Sequence, residues 1–424
     1  MTMLTKARCK ARVIQWVAAG YALVQRRRSA RENGPDELEF YYAVGDPHSH
    51  LAAQLLPRLQ AQGKLRIRLR LVSQQQSPIY PEIDKQRRFA LNDVPRLASA
   101  YGLQTVPMNG LPDEVLMTQA NAYLMATDSL EDFIRREWQV ASVLFSGQGD
   151  LPVGDTESAA DVEATLQANN QRRQRLGHYL PAMWQFRGDW FWGVDRADAL
   201  LAALNREGLY DGPLTLSCDA SNADLGETPS AETPLEFFFS FRSPYSYLAA
   251  VQLQRRLASM TLPLSVRPVL PMAMRGFNIP LAKRMYIVHD AGREAERLGI
   301  PFGLISDPIG EGALRCLKVF SLAESVPQQI DFLVAAGQCA WAEAIDLSTD
   351  RGLRTVCQRA GIDWATAQRC LAEPLPAYAQ NNLDALLDMG FWGVPSFRLG
   401  QFTSWGNDRM WMLDELQRRA TLSK

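Results

Sequence analysis

A chain of 424 residues with 47% hydrophobic and 21% charged residues has an ordinary globular composition, and its length favours two or three domains. Its formal net charge of −1 argues against a general electrostatic attraction to nucleic acid or anionic membrane. Its six cysteines include no Cys-x-x-Cys pair and have the spacing of neither a zinc site nor a disulfide scaffold. We therefore expect free thiols, a reducing cytoplasmic compartment and no metal centre.

The first 37 residues form a basic segment with a composition of its own. Eight Lys and Arg residues surround an apolar stretch, 13–24, that is too short to span a bilayer. The helical spacing of Ile14, Val17, Tyr21 and Val24 predicts a helix with one apolar face. We expect this helix to pack on a neighbouring domain or subunit. A helix lying on a membrane surface is the alternative.

From residue 38 the chain shows a pattern that occurs twice. An apolar run at 38–44 is followed by Asp46-Pro47, and an apolar run at 235–241 is followed by Ser243-Pro244. The offset of 197 residues is far too long for a solenoid, so it indicates the duplication of one domain.

The two copies are predicted at 38–204 and 235–418, with the same order of elements. A strand, a helix and a second strand precede a long helical region, and a β-hairpin and a terminal helix close each copy, which indicates an α/β fold. Residues 205–234 are rich in Gly, Ser, Asp, Thr and Pro and predict an extended or mobile linker. We expect the copies to pack about an approximate two-fold within a monomer; a homodimer is the alternative.

The start of the second copy carries a candidate anion site. Four Phe residues within 235–241 predict a buried strand. Ser243 then suits the N-cap of a helix and Pro244 its first position, where a missing N–H is harmless. We predict a helix from Tyr245 to Leu257, with the Ser243 hydroxyl at the positive end of its dipole. That position can stabilise a thiolate or carboxylate, although Ser-Pro is also a common structural cap.

A second informative stretch lies at 391–409. Val394-Pro395 precedes a predicted β-hairpin, and Gly406-Asn407-Asp408-Arg409 then begins a helix. Each motif is weak alone, because an Asp-Arg pair is common at a solvated helix start. Their order and spacing relative to Ser243-Pro244 carry the information.

Together these stretches resemble the thioredoxin-fold DsbA superfamily, and within it they are most similar to 2-hydroxychromene-2-carboxylate isomerases and kappa-class glutathione transferases. In those families a strand leads to a Ser-Pro helix start, a cis-proline bond comes late, and a Gly-x-Asp-Arg helix start follows. The resemblance covers about 235–418. It implies two tandem thioredoxin-like domains, each with a helical insertion, and a cis bond at Val394-Pro395. By the internal repeat we expect another cis bond at Leu180-Pro181.

The resemblance implies a glutathione site in the second copy. Ser243 is the implied catalytic residue, which would donate a hydrogen bond to the cysteinyl sulfur and favour the thiolate. The residue before the cis-proline would pair with glutathione as an added strand does. The residues implied to bind glutathione are Asn278, Val394, Pro395, Asn407, Asp408 and Arg409, and those implied to line an apolar pocket for the second substrate are Tyr245, Met285 and Tyr286.

The first copy departs from this pattern at Asp46, which stands where the second copy has its serine. A carboxylate there would repel a thiolate and cap its own helix instead. We expect the first copy to be degenerate and mainly structural. A different chemistry at Asp46 and His48 is the alternative.

The predicted function is that of a glutathione-dependent isomerase or transferase acting on an aromatic or hydroxy-acid small molecule. Two alternatives from other classes stay open. One is a DsbA-type thiol–disulfide oxidoreductase, against which the missing Cys-x-x-Cys motif argues. The other is a non-catalytic thioredoxin-fold binding module.

Overall fold

The computed structural model describes residues 3–74, 82–152, 156–277 and 279–422. These residues form two compact units. The N-terminal unit is Tyr21–Asp224, and the C-terminal unit is Leu225–Lys424 together with Met1–Gly20.

The N-terminal unit contains a four-stranded mixed sheet of order β2-β1-β3-β4, with β1 and β2 parallel and the other neighbours antiparallel. Its strands are β1 (Glu37–Tyr42), β2 (Arg66–Leu71), β3 (Met183–Phe186) and β4 (Asp189–Trp192). Helix α1 (Met3–Glu32) belongs to this unit from Tyr21 onward. The other helices of the unit are α2 (Pro47–Ala53), α3 (Leu56–Gln62), α4 (Ile83–Tyr101), α5 (Glu114–Met125), α6 (Leu130–Ala141), α7 (Ala159–Arg175) and α8 (Ala197–Arg206). Helices α4 to α7 form the insertion expected between the second and third strands.

The C-terminal unit contains a second mixed sheet with the same topology, β6-β5-β7-β8. Its strands are β5 (Leu235–Phe239), β6 (Leu264–Pro268), β7 (Ser396–Leu399) and β8 (Phe402–Trp405). Its helices are α9 (Pro244–Arg256), α10 (Leu281–Leu298), α11 (Glu311–Phe320), α12 (Val326–Trp341), α13 (Asp350–Arg359), α14 (Trp364–Ala372), α15 (Tyr378–Asp388) and α16 (Met410–Leu422). Every residue of β5 is buried, which explains its Phe-rich sequence.

Helix α1 is confirmed as a helix, but its predicted apolar face is only partly covered by the described part of this chain. Val17 and Val24 of that face are 49% and 45% exposed, Tyr21 is half-buried, and the Ile14 side chain lies outside the described residues. Among the described side chains of α1 the buried ones are small or polar, namely Ala18, Gln25 and Ser29. Packing of the apolar face on another subunit stays a prediction. Spacing identified the helix correctly, but spacing alone does not say which face the rest of the fold covers.

The segment 205–234 has little regular structure, as expected of a linker, but it is tied to its surroundings. Tyr210 is fully buried, and its hydroxyl accepts a hydrogen bond from Arg58 at 2.7 Å and donates one to Gln62 at 2.9 Å. Ala223 and Leu225 are also buried. Of the two expected states, extended or mobile, these contacts favour the extended one, because the few apolar residues of the segment are anchored.

Both sheets bury a glutamate of the first strand beside arginines. Glu39 is fully buried and lies 2.7 Å from both Arg70 and Arg172. Burial alone would raise the pKa of Glu39, but the two guanidinium groups outweigh it and hold this pKa below its ordinary value. Glu236 has the same arrangement with Arg267 at 2.5 Å and with Arg398, and its pKa is also lowered.

We expect Glu39→Gln to destabilise the protein by about 3 kcal/mol at neutral pH, because it removes the buried carboxylate that pairs with Arg70 and Arg172, of which Arg172 keeps its second pair with Glu32. The folded-state pKa of Glu39 lies below its unfolded value of about 4.3. Its stabilisation is therefore fully present above that pH and is lost as the pH falls through the folded-state pKa. Thermal unfolding from pH 7 to 3 should show the Tm gap between wild type and variant closing in acid. Glu207→Gln, at an exposed pair with Arg187, is the control and should lose less than about 1 kcal/mol.

Candidate functional site

Ser243 lies where β5 hands over to α9. It has an extended backbone, and its Oγ accepts a hydrogen bond from the N–H of Ser246 at 3.1 Å, which makes it the N-cap of α9. Pro244 occupies the first position of the helix and is buried. The predicted helix start is confirmed, and the Ser243 side chain stays half-buried at the positive end of α9.

The loop before β7 meets this helix start. The Val394-Pro395 bond is cis, as predicted. The Ser243 hydroxyl donates a hydrogen bond to the Val394 carbonyl at 3.2 Å, across a sequence separation of 151 residues. The two stretches singled out in the sequence therefore form one corner of the C-terminal unit.

The segment after β8 adds a buried amide. Gly406 has φ +100° and ψ 150°, a conformation that is essentially restricted to glycine. Asn407 follows and is 3% exposed, yet neither its Oδ1 nor its Nδ2 has a hydrogen-bond partner among the described residues. Buried polar groups are nearly always paired, so an amide of this kind needs a partner that the described residues do not supply.

The next two residues have different environments. Asp408 is half-buried, whereas Arg409 is only 1% exposed and lies inside the unit. Arg409 therefore faces the interior of the unit rather than solvent. Both follow Gly406, whose N–H donates to the carbonyl of Pro395 at 2.9 Å and so joins this segment to the cis-proline loop.

The residues expected to line a substrate pocket lie on two helices that contact each other, α9 and α10. The hydroxyl of Tyr245 on α9 donates to Asp290 on α10 at 2.7 Å, so this end of its side chain is polar and paired. Met285 is buried and Tyr286 is half-buried on α10. Asn278 lies outside the described residues.

Three charged residues near this corner, Arg242, Asp307 and Arg275, were not predicted to have a functional role. Arg242, directly before Ser243, makes two contacts of 2.9 Å with the carboxylate of Asp307. Arg275 donates to the carbonyl of Trp392 at 2.9 Å, two residues before Val394. Position next to the Ser-Pro and Val-Pro motifs is the signal that could have identified Arg242 and Trp392.

Lys283 lies in the first turn of α10. It is half-buried, and burial lowers the pKa of its ammonium group to about 8. A fraction of this side chain is therefore neutral near pH 8.

The corresponding corner of the N-terminal unit is closed. Asp46 is 4% exposed and accepts hydrogen bonds from the N–H of Ser49 at 2.9 Å and from its hydroxyl at 2.6 Å, so it caps α2 as predicted. A methyl group placed on Gly45 would lie 2.5 Å from the sulfur of Met117 and 3.0 Å from Pro112. These side chains cover the corner.

The late loop of the N-terminal unit corrects another expectation. Met183 pairs with Trp192 as Ser396 pairs with Trp405, so Ala182 corresponds to Pro395. Pro181 lies one position too early, and the predicted cis bond at Leu180-Pro181 is wrong: Val394-Pro395 is the one cis bond among the described residues.

The hairpin end of the N-terminal unit also lacks the amide. In the same alignment Val194 takes the place of Asn407, and Val194 is 5% exposed. An apolar side chain cannot pair the charged groups of a ligand.

Three of the cysteines, Cys316, Cys339 and Cys357, are fully buried. None of the five cysteines whose side chains the structure describes forms a disulfide. Burial raises the pKa of Cys316 far above its ordinary value, that of Cys339 to about 12 and that of Cys357 to about 11. These three thiols therefore stay protonated at neutral pH and are poor nucleophiles.

The described residues carry neither a metal-binding cluster nor a membrane-spanning helix. They contain no group of three or more His, Cys, Asp or Glu side chains placed to hold a metal ion. None of their helices is both long enough and apolar enough to cross a membrane.

Comparison with known proteins assigns the C-terminal half. Residues 234–417 match the family described as a DSBA-like thioredoxin domain. The chain matches no curated protein significantly. The C-terminal half therefore contains a DSBA-like thioredoxin domain.

Solved structures similar to the chain each align with less than half of it. A 2-hydroxychromene-2-carboxylate isomerase is 24% identical, with 45% of this chain and 97% of that chain covered and a TM-score of 0.39. A probable DsbA oxidoreductase from Streptomyces coelicolor is 16% identical, with 46% and 92% covered and a TM-score of 0.35. The cytosolic disulfide reductase DsbM from Pseudomonas aeruginosa, solved with GSH, is 16% identical, with 45% and 98% covered and a TM-score of 0.34.

We expect iodoacetamide at pH 7.5 to alkylate the exposed Cys218 of the folded chain about 10³-fold faster than Cys339, because both burial and the raised pKa suppress the Cys339 thiolate. Peptide mass spectrometry over time gives the two rates, and unfolding in guanidinium should make them similar. Rapid labelling of Cys339 in the folded chain would contradict its burial and its raised pKa.

Proposed function

We propose that the chain is a glutathione-dependent isomerase or transferase that works at the Ser243 corner of its C-terminal unit on a small organic substrate. The observation that carries the proposal is the hydrogen bond from the Ser243 hydroxyl to the Val394 carbonyl. It brings a helix N-terminus, which favours an anion, to the backbone of a cis-proline loop, which can pair with a peptide. Glutathione is a short peptide that ionises at its thiol, so it suits both features.

The residues present fit glutathione. The unpaired Oδ1 and Nδ2 of Asn407 offer one acceptor and two donors to the charged γ-glutamyl end. Asp408 supplies a carboxylate for the glutamyl ammonium group, and Val394 supplies backbone groups for the cysteinyl peptide. The Val394 carbonyl has a second lone pair, so its hydrogen bond with Ser243 leaves room for a further donor. Arg409 and Pro395 position this segment.

Glutathione, when bound, supplies a thiolate nucleophile. Ser243 favours that ionised form by turning its single hydroxyl proton from the Val394 carbonyl toward the sulfur, while its oxygen keeps accepting from Ser246. The α9 dipole acts in the same direction. Tyr245, Met285 and Tyr286, with Asn278 beyond the described residues, are proposed to face the second substrate.

The N-terminal unit is proposed to be a degenerate second copy of the domain, without a glutathione site. Three replacements support this view: Asp46 stands for Ser243, Ala182 for Pro395 and Val194 for Asn407. We therefore propose one glutathione per chain and, with its free thiols, a cytoplasmic location.

Disulfide chemistry is disfavoured at this corner. The start of α9 reads Ser243-Pro244-Tyr245-Ser246, where a thiol–disulfide oxidoreductase of this superfamily needs two cysteines. Insulin reduction by the purified chain tests that alternative directly.

We expect Ser243→Ala to raise the pKa of bound glutathione and to reduce kcat about 10²-fold or more, the usual effect of removing one placed donor. Ultraviolet absorbance of the thiolate across a pH titration measures the pKa, and conjugation of a model electrophile measures turnover. Asp46→Ala is the matched control, since it removes a helix cap at the corresponding corner. It should keep turnover and lose only about 0.5–2 kcal/mol of stability.

Calorimetric titration provides the stoichiometry. One glutathione per chain is expected, with binding retained by Asp46→Ala. Two equal sites, or full turnover by Ser243→Ala, would overturn the assignment. Binding without any turnover would instead identify a binding module.

We expect Asn407→Leu to weaken glutathione binding about 10- to 100-fold, because hydrogen bonds to charged groups contribute about 1.5–3 kcal/mol. The same change should raise the Tm of the empty protein, since it removes buried polar atoms that have no partner. Ser404→Ala is the matched control: Ser404 is fully buried and its Oγ is also unpaired, so its removal should not lower the Tm and should leave glutathione affinity unchanged. A lower Tm with unchanged affinity in Asn407→Leu would contradict a ligand-binding role.

A further inference from the structure

Helix α1 buries small and polar side chains and exposes several large apolar ones, which is the reverse of the usual pattern. Its buried positions, Ala18, Gln25 and Ser29, are spaced 7 and 4 apart and therefore lie on one face. The Gln185 amide donates to the Ser29 hydroxyl at 2.8 Å, so this face is held by polar contacts. Gln15 likewise donates to the carbonyl of Gly303 at 3.0 Å.

Five large apolar side chains among the described residues of α1 face outward. We call them the exposed stripe: Val13 (59% exposed), Trp16 (81%), Val17 (49%), Leu23 (49%) and Val24 (45%). At about 100° per residue they fall within an arc of roughly 120°, on the side of the helix opposite to the buried face. Burying such residues is worth about 25 cal/mol per Å² of apolar surface, so an outward stripe indicates a surface that another body covers.

The sequence on both sides of the exposed stripe is basic. Residues 1–31 contain eight Lys and Arg and no Asp or Glu, in a chain whose net charge is −1. By the same helical geometry Arg27 and Arg31 continue the stripe toward its C-terminal end, and both are exposed. An electrostatic partner of this helix must therefore be anionic.

This positive charge distinguishes between two candidate partners of the exposed stripe, a second copy of α1 and an anionic lipid surface. A second copy of α1 would cover the apolar residues, but in either orientation it would bring two basic helices together. An anionic lipid surface accepts the apolar side chains at its interface and the Lys and Arg side chains at its headgroups. The stripe is about 16 Å long, so it can lie in the interface but cannot cross the membrane.

We propose that α1 binds the surface of an anionic membrane through the exposed stripe and its flanking basic residues. Trp16 enters the interface, where its amphipathic ring is favoured, and Arg27 and Arg31 bind the headgroups. This inference is independent of the glutathione site.

The test is co-sedimentation of the full chain with vesicles of phosphatidylcholine alone and with about 30% phosphatidylglycerol, in low and high salt. Binding to the anionic vesicles should exceed binding to neutral ones at least about tenfold and fall as salt rises. Trp16→Ser/Val17→Ser and Arg27→Glu/Arg31→Glu should each weaken it at least about tenfold. Val115→Ser, at an equally exposed apolar residue of α5, is the matched control and should bind as wild type does.

All four substituted apolar and basic positions on α1 are exposed, so each variant should keep a wild-type Tm, which unfolding measures directly. Equal binding to neutral vesicles, no vesicle binding, or unchanged binding in both double variants would overturn the proposal. Sedimentation velocity adds a separate outcome. A wild-type dimer that Trp16→Ser/Val17→Ser converts to monomer would show that a second copy covers the stripe, and would also overturn it.

Discussion

The hydrogen bond between the Ser243 hydroxyl and the Val394 carbonyl is the contact on which the site of the C-terminal unit depends. Ser243 caps α9 and Val394 precedes the cis-proline. Their hydrogen bond therefore joins two segments that are separated in sequence by a long helical insertion. The carbonyl of Pro395 in turn accepts from the N–H of Gly406 and so holds Asn407 beside the same loop. The sheet places these segments, and the backbone geometry of a proline and a glycine fixes how they meet.

Local chemistry explains which parts of this arrangement were predictable. A run of Phe indicates a buried strand and a Ser-Pro pair indicates a helix start, because both depend on neighbours in sequence. The cis bond at Val394 followed from the family resemblance. The unpaired amide of Asn407 and the hydrogen bond between Tyr245 and Asp290 were not predictable, because burial and partners are set by packing between distant segments.

The structure differs from the predictions for Leu180-Pro181 and for the apolar face of α1, and the two differences have related physical causes. At Pro181 the repeat was aligned on the proline itself, whereas strand register aligns Ala182 with Pro395. A slip of one residue turns every side chain of a strand to the other face, so register is the more reliable guide. On α1 the period of the apolar residues was correct, but a period has no inward or outward sense. Only Gln25 and Ser29, buried by their own contacts, show which side faces the fold.

The buried amide of Asn407 links folding to ligand supply. An unpaired polar group inside a protein costs about 1–3 kcal/mol of stability, so the empty chain is less stable than its packing alone would make it. A ligand that pairs this amide binds the folded chain and not the unfolded one, and at about 100 times its Kd it adds about 2.7 kcal/mol. In a cell, where unfolded chains are continuously degraded, the abundance of such a protein follows the concentration of its ligand. Under the proposed function, the residue that weakens the empty fold would thereby tie the amount of protein to the supply of its ligand.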